Sequence, residues 1–229
     1  MNMRIKITKN GPYNISGNVP VQVQEIVPNS KGESWDWKAG KTFETKENYD
    51  LCRCGQSKNK PFCDDSHLRV GFNGEETASR LPYNKQAEKL EGQTLVLTDA
   101  ERLCAFGRFC DARGSIWAQT EQSDIPEARD LVIREGGHCP SGRLVVHDRK
   151  THKALEPEFE PSVGIVEDPG EGCSGGLWVR GGIAIESADG HVYETRNRVT
   201  LCRCGESGNK PFCDGTHASI KFKDGLGGN

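Results

Sequence analysis

Cysteines and histidines are the residues of this 229-residue chain best able to do chemistry, and their spacing repeats. Cys52, Cys54, Cys63 and His67 form one set: Cys-x-Cys, eight residues, Cys, three residues, His. Cys202, Cys204, Cys213 and His217 form a second at the same spacing. Three thiolates and an imidazole suit zinc or an iron–sulfur cluster. Zinc loops favour cysteines two to four residues apart, because that length wraps one ion. A single intervening residue fits better where two thiolates grip one iron of a two-iron cluster while Cys and His hold the other. Zinc in the same four ligands is the alternative. Arg53 and Arg203, between the paired cysteines, and Lys60 and Lys210 can offset the negative charge of thiolates and sulfides. Pro61 and Pro211 stiffen the loop before the third cysteine.

The repeat extends beyond the ligands. LCRCGQSKNKPFCDDSH ends at His67 and LCRCGESGNKPFCDGTH at His217, and they differ only at Gln56/Glu206, Lys58/Gly208, Asp65/Gly215 and Ser66/Thr216. Upstream, Phe43 to Lys46 matches Tyr193 to Arg196, and Gly11 to Gly17 lies on Gly175 to Gly181 with about fourteen extra residues in the first copy. Val19 to Val27 and Leu177 to Ile185 alternate as half-buried strands do, and Val70/Phe72 and Ile220/Phe222 have strand spacing. Two such units suggest a pseudo-two-fold pair.

The pattern Cys-x-Cys-x2-Ser-x3-Pro-x-Cys-Asp-Gly-(Ser/Thr)-His resembles the CDGSH iron–sulfur (NEET) family. The second copy fits at every position, and the first departs at Asp65, where the family has glycine. Aspartate tolerates left-handed backbone better than most residues, so the turn is expected to survive. Its charge should lower the reduction potential of that site. The resemblance implies a [2Fe-2S] cluster on three Cys and one His in each unit, a β-rich cap and a two-fold assembly; the membrane anchor of some members is expected to be missing. Protonating a histidine ligand would remove it from iron, so potential and cluster retention should depend on pH.

Four cysteines remain. Cys104-x5-Cys110, 28 residues, then Cys139-Pro140 resembles the single-cluster ferredoxins, in the branch where the middle cysteine of the run is missing, since position 107 is glycine. That resemblance covers Cys104 to Leu144 and implies a [3Fe-4S] cluster on Cys104, Cys110 and Cys139, or a [4Fe-4S] cluster if Cys173 closes the site. The alternatives are zinc on these thiolates, or buried free thiols. His138 is expected to face solvent, and His147, His152 and His191 to be ordinary surface histidines.

The elements that must position these residues follow from pattern and composition. Hydrophobic residues make up 34% of the chain, and 27 glycines and 11 prolines favour turns over long helices. The expected fold class is α+β: two β-rich units, residues 1–77 and 174–229, forming a pseudo-two-fold pair, with a small ferredoxin-like insert at 78–153 and a surface connector at 154–173. In the insert, Thr98 to Glu101 has the form of a helix-capping box, and Ala128, Leu131, Val132 and Glu135 step at helical spacing after Pro126, with Gly136-Gly137 as the stop. Trp35, Trp37, Trp117 and Trp178 are expected to pack in the interior. Glu156, Glu158, Glu160, Glu167 and Asp168 read as a solvated loop or a docking patch for a basic partner.

A net charge of −3 gives no basic nucleic-acid surface, and no stretch of about 20 apolar residues or signal-peptide pattern occurs, so a cytoplasmic protein away from membranes is expected. Nucleophile, phosphate-loop and dinucleotide signatures are missing, which argues against an enzyme. The function that emerges is a soluble electron carrier, a monomer with an internal pseudo-dimer, serving a redox partner. The alternatives are cluster storage or transfer to an apo-acceptor protein, or redox sensing.

Overall fold

The computed structural model describes residues 3–227. The first part of the chain forms strands β1 (Arg4–Ile7), β2 (Tyr13–Ser16), β3 (Val21–Pro28), β4 (Ser34–Phe43) and β5 (Asn48–Leu51), then the one-turn helix α1 (Ser66–Arg69). The middle holds β6 (Glu88–Glu91), β7 (Leu95–Asp99), α2 (Ile116–Glu121), α3 (Pro126–His138) and β8 (Leu144–Asp148). Strands β9 (Ser162–Asp168), β10 (Cys173–Arg180), β11 (Ala184–Glu186) and β12 (Arg198–Leu201) and helix α4 (Thr216–Ser219) complete it. The class is α+β, with strands dominant and the two cysteine–histidine units flanking a middle segment.

The two units are intertwined. One sheet runs β11-β1-β2-β5 and the other β12-β10-β9-β3-β4. After β2 the chain turns at Gly17 (φ +91°), and β3 then lies parallel to β9 of the second unit, Val23 opposite Ile165. After β10 it turns at Gly181 (φ +75°), and β11 lies parallel to β1 of the first unit, Ile5 opposite Ile185. Each copy therefore lends a strand to the other's sheet. The inward residues of these strands meet in one core, in which Ile5, Ile7, Ile15 and Val21 pack with Val163, Ile165, Leu177 and Leu201. Each such side chain, removed from water, contributes about 1.5–3 kcal/mol, so the exchange ties the two units into one cooperative body.

The middle segment forms a three-stranded antiparallel sheet, β6-β7-β8, with α2 and α3 on one face. Leu95, Leu97, Leu144 and Val146 point to that face and meet Ile116 and Val132. Gly136 does not stop α3, which runs on to His138. A Cβ there would stand 2.6 Å from Val146 Cγ2, so the glycine serves close helix–sheet packing.

Other local expectations change for physical reasons. Thr98 starts no helix: it is buried in β7, where its hydroxyl donates to the Val145 carbonyl. Val70/Phe72 and Ile220/Phe222 are not strands but the exits of α1 and α4. The 177–185 run is two strands, because Gly181 and Gly182 both take positive φ. The expected surface connector contains β9, an interior strand. Glu167 and Asp168 at its end are buried and ion-paired, with Arg203 and Arg108, and Glu156 pairs with Arg198, which leaves only Glu158 and Glu160 of the acidic stretch exposed. Trp178 is buried and the half-buried Trp37 packs against it, with ring centroids 4.6 Å apart. Among the described residues no helix is long and apolar enough to cross a membrane.

Candidate metal centres

Each repeated loop is held by its own backbone. The Cys52 N–H donates to the Pro61 carbonyl (2.8 Å) and that of Cys63 to Asp50 (2.9 Å); Cys202 and Cys213 do the same to Pro211 and Thr200 (both 2.8 Å). Ser57 and Ser207 close the turn by donating to the carbonyls of Phe62 and Phe212. The histidine then falls in the first turn of α1 or α4, one helical turn from the third cysteine.

This places the donors in two close pairs. Cys52 and Cys54 sulfurs lie 3.8 Å apart, and Cys63 Sγ lies 3.5 Å from His67 Nδ1. In the second unit the separations are 3.8 Å and 3.3 Å. Among the described residues, the only three potential ligand atoms mutually within 4.8 Å are those of Cys63, Asp65 and His67. A tetrahedral zinc, with bonds of about 2.0–2.3 Å, would draw all four donors closer than that. Two pairs held apart fit a group with two metal atoms, one per pair.

The thiols prepare for this. A hydrogen bond from Cys54 pulls Cys52 down to about 6 against the effect of burial, and Cys202 falls to about 7 in the same way from Cys204. The partner thiols, Cys54 and Cys204, are pushed up correspondingly.

The two sites touch. A Cβ on Gly55 would stand 2.4 Å from the Cys204 carbonyl oxygen, and one on Gly205 2.7 Å from that of Cys54, so each loop packs its glycine on the other's ligand backbone. The Tyr13 hydroxyl, from the first copy, donates to the Cys202 carbonyl at 2.8 Å.

They differ in cover and charge. His217 and Cys213 are buried, whereas His67 and Cys63 are half-exposed beside the exposed side chains of Leu68 and Val70. Burial, reinforced by Arg203 and opposed by Asp214, brings His217 down to about 4. The cover comes from the middle segment: a Cβ on Gly215 would meet Phe106 Cβ at 3.3 Å and the Cys104 carbonyl oxygen at 3.5 Å. The equivalent Asp65 is exposed, at φ +63°, and keeps the turn.

Arg203 and Arg53 are both buried, but Arg203 is ion-paired with Glu167 (2.9 Å) and with Asp224, whereas Arg53, among the described residues, meets the carbonyls of Thr8 and Gly74 and the rings of Tyr13 and Phe72 and no carboxylate. Asp224 and Gly74 are equivalent positions in the repeat. Sequence reasoning missed this pair because the comparison stopped at Phe72/Phe222.

Cys104, Cys110 and Cys139 line one small cavity, with Gly107, Pro140 and Arg143 beside them. Arg143 is fixed by two hydrogen bonds to Asp99 (2.6 and 2.8 Å). A side chain at 107 would strike Pro140, whose Cδ lies 2.9 Å from the Cβ position. Cys173 is outside this group; it is buried in β10, among Asp168, Glu171, Lys221 and Arg108. His138 is not solvent-facing but half-buried on Phe109, hydrogen-bonded to the Arg134 carbonyl.

Residues 10–68 and 174–218 both match the family model described as iron-binding zinc finger, CDGSH type. The chain carries two CDGSH-type iron-binding domains. The matched regions contain both cysteine–histidine sets, so each set lies within a region similar to an iron-binding CDGSH-type domain. No curated protein and no solved structure matches the chain.

Proposed function

We propose that the protein is an electron carrier with two [2Fe-2S] clusters, one on Cys52, Cys54, Cys63 and His67 and one on Cys202, Cys204, Cys213 and His217, and a [3Fe-4S] cluster on Cys104, Cys110 and Cys139. Bound clusters of these types supply one-electron chemistry without a substrate of their own. The observation that carries the reading is the order of contacts. The first CDGSH loop packs on the second through Gly55 and Gly205, and the second packs on the middle cysteines through Gly215 and the Cys104 carbonyl. The two ends of this series have surface access, at His67 and at the half-exposed middle cysteines, while the centre is buried. That is the arrangement of a relay: partners meet the ends, and the interior is shielded from water.

Three thiolates in the middle, with Gly107 closed against Pro140 and Cys173 elsewhere, favour three irons over four. Leu68 and Val70 around His67 offer a redox partner an apolar contact. The setting is cytoplasmic, where reducing conditions keep the nine ligand cysteines as thiolates.

A cluster donor is the second reading, favoured by the half-exposed His67. The two are separated by following the visible spectrum of the reduced protein during repeated oxidation and reduction, with and without an apo-ferredoxin acceptor. A carrier returns to its starting spectrum in every cycle and leaves the acceptor empty. Loss of absorbance matched by acceptor loading overturns the carrier reading.

A further inference from the structure

Between the third cysteine and the histidine of each loop the two copies differ at two neighbouring positions, Asp65-Ser66 in the first and Gly215-Thr216 in the second. Ser66 and Thr216 exchange one hydroxyl for another, but Asp65 adds a carboxylate that the second copy lacks. Both turns hold the same left-handed backbone, φ +63° at Asp65 and +86° at Gly215, so the extra group does not redirect the chain. The turn sets the Asp65 N–H on Cys63 Sγ at 3.4 Å. It leaves an Asp65 carboxylate oxygen within 4.8 Å of both Cys63 Sγ and His67 Nδ1, which are themselves 3.5 Å apart.

The neighbouring carboxylate is already used by the fold. Asp64 Oδ2 accepts from the Lys58 N–H (2.9 Å) and its Oδ1 from the Ser66 N–H (3.0 Å). Among the described residues no donor holds the Asp65 carboxylate, and Asp65 is exposed, so its side chain is free to turn. Cys63 and His67 beside it are half-exposed, and a change of ligand here requires no opening of the core. At the second site the same place is closed: Phe106 Cβ and the Cys104 carbonyl oxygen stand 3.3 and 3.5 Å from where a side chain on Gly215 would begin. Iron accepts imidazole and carboxylate ligands alike.

We propose that Asp65 is an alternative ligand of the first site: when the His67 imidazole leaves the iron it shares with Cys63, an Asp65 carboxylate oxygen takes its place. The iron–imidazole bond breaks, an iron–carboxylate bond forms, the imidazole departs as a neutral base, and no electron moves. The site becomes more negative by one charge and harder to reduce. The more open of the two sites thereby keeps its cluster while His67 moves, by a means that the covered second site lacks. The proposal rests on the [2Fe-2S] reading of the first site.

The test uses the full chain, reduced with dithionite, and reads two quantities: the spin count of the two-iron EPR signals per chain, and the pulsed-EPR coupling to ligand imidazole nitrogen. His67 is half-exposed and Asp65 exposed, so replacing them does not endanger folding. His67→Ala should keep both two-iron signals, with the imidazole coupling about halved, and adding Asp65→Asn should about halve the spin count. Asp65→Asn alone should keep both signals and the full coupling, because His67 is still there. Disappearance of the first-site signal already in His67→Ala would overturn the proposal. So would its survival in the double variant, because the position would then be filled without Asp65. The first-site signal is the one that Cys52→Ser removes; its absence from the wild type would overturn the [2Fe-2S] reading and this proposal with it, whereas its presence there makes the variants a test of Asp65 alone.

Discussion

The two CDGSH sites share their ligands but not their electrostatics, and this predicts unequal reduction potentials. Reduction adds one negative charge to a site. At the first site that charge faces Arg53, which is buried, positive and, among the described residues, without a carboxylate partner. At the second it faces Arg203, whose charge is taken up by Asp224 and Glu167. One unit charge acting over about 10 Å at an effective dielectric constant of about 20 is worth roughly 1.7 kcal/mol, or about 70 mV for a one-electron couple. The second site is also the more deeply buried, which further disfavours added charge. Asp65 opposes the difference at the first site, but it is exposed and therefore screened. The first site should thus lie above the second by on the order of 70 mV or more. Asp224→Asn should raise the lower potential by a similar amount, and Arg53→Met should lower the higher one. An EPR-monitored redox titration of the wild type and both variants reads this directly. Coincident wild-type potentials, or an unmoved second site in Asp224→Asn, would refute the reasoning.

Gly215→Asp, which puts the first copy's residue into the second, should destabilise by about 1–3 kcal/mol through contact with Phe106 and the Cys104 carbonyl, whereas Asp65→Gly should be near neutral; denaturant unfolding compares them. Glu135 is buried with neither carboxylate oxygen paired, and burial, aided by Asp111 and Glu33, pushes it up to about 8. A raised carboxyl favours the protonated form in the fold, so its contribution is fully present below the unfolded value of about 4.3 and is lost as pH rises towards 8. Glu135→Gln should therefore flatten the fall in melting temperature between about pH 5 and pH 8, and an unchanged slope would contradict this. A hydrophilic iron chelator should strip the first site before the second, because His67 is open and His217 is covered; variants keeping one site each, Cys202→Ser and Cys52→Ser, assign the fast and slow phases of absorbance loss.

The sites were legible because the ligands are local. The donors Cys52 to His67 span one loop whose turns are set by Pro61, Ser57 and the left-handed residue 65, so spacing alone fixes which atoms converge. The helix after Pro126 was legible for the same reason. The strand exchange was not: nothing in the period-2 pattern of Val21 to Val27 says whether its partner is β1 or β9, since both present the same apolar face. Nor does spacing give burial. Glu167 and Asp168 look like a solvated acidic run until Arg203 and Arg108 are brought to them from 36 and 60 positions away. The grouping of Cys104 and Cys110 with the distant Cys139 rested on resemblance, and Cys173 stands apart because β10 carries it to the Asp168 side.

The central claim is the metal content. Iron, acid-labile sulfide and zinc should be measured per chain on anaerobically purified protein, with EPR spectra before and after reduction. About seven irons and eight sulfides are predicted, with a three-iron signal as isolated and two-iron signals on reduction. About four irons with no signal as isolated would leave the middle cysteines outside the relay. Zinc in place of iron, with little sulfide, would contradict the account.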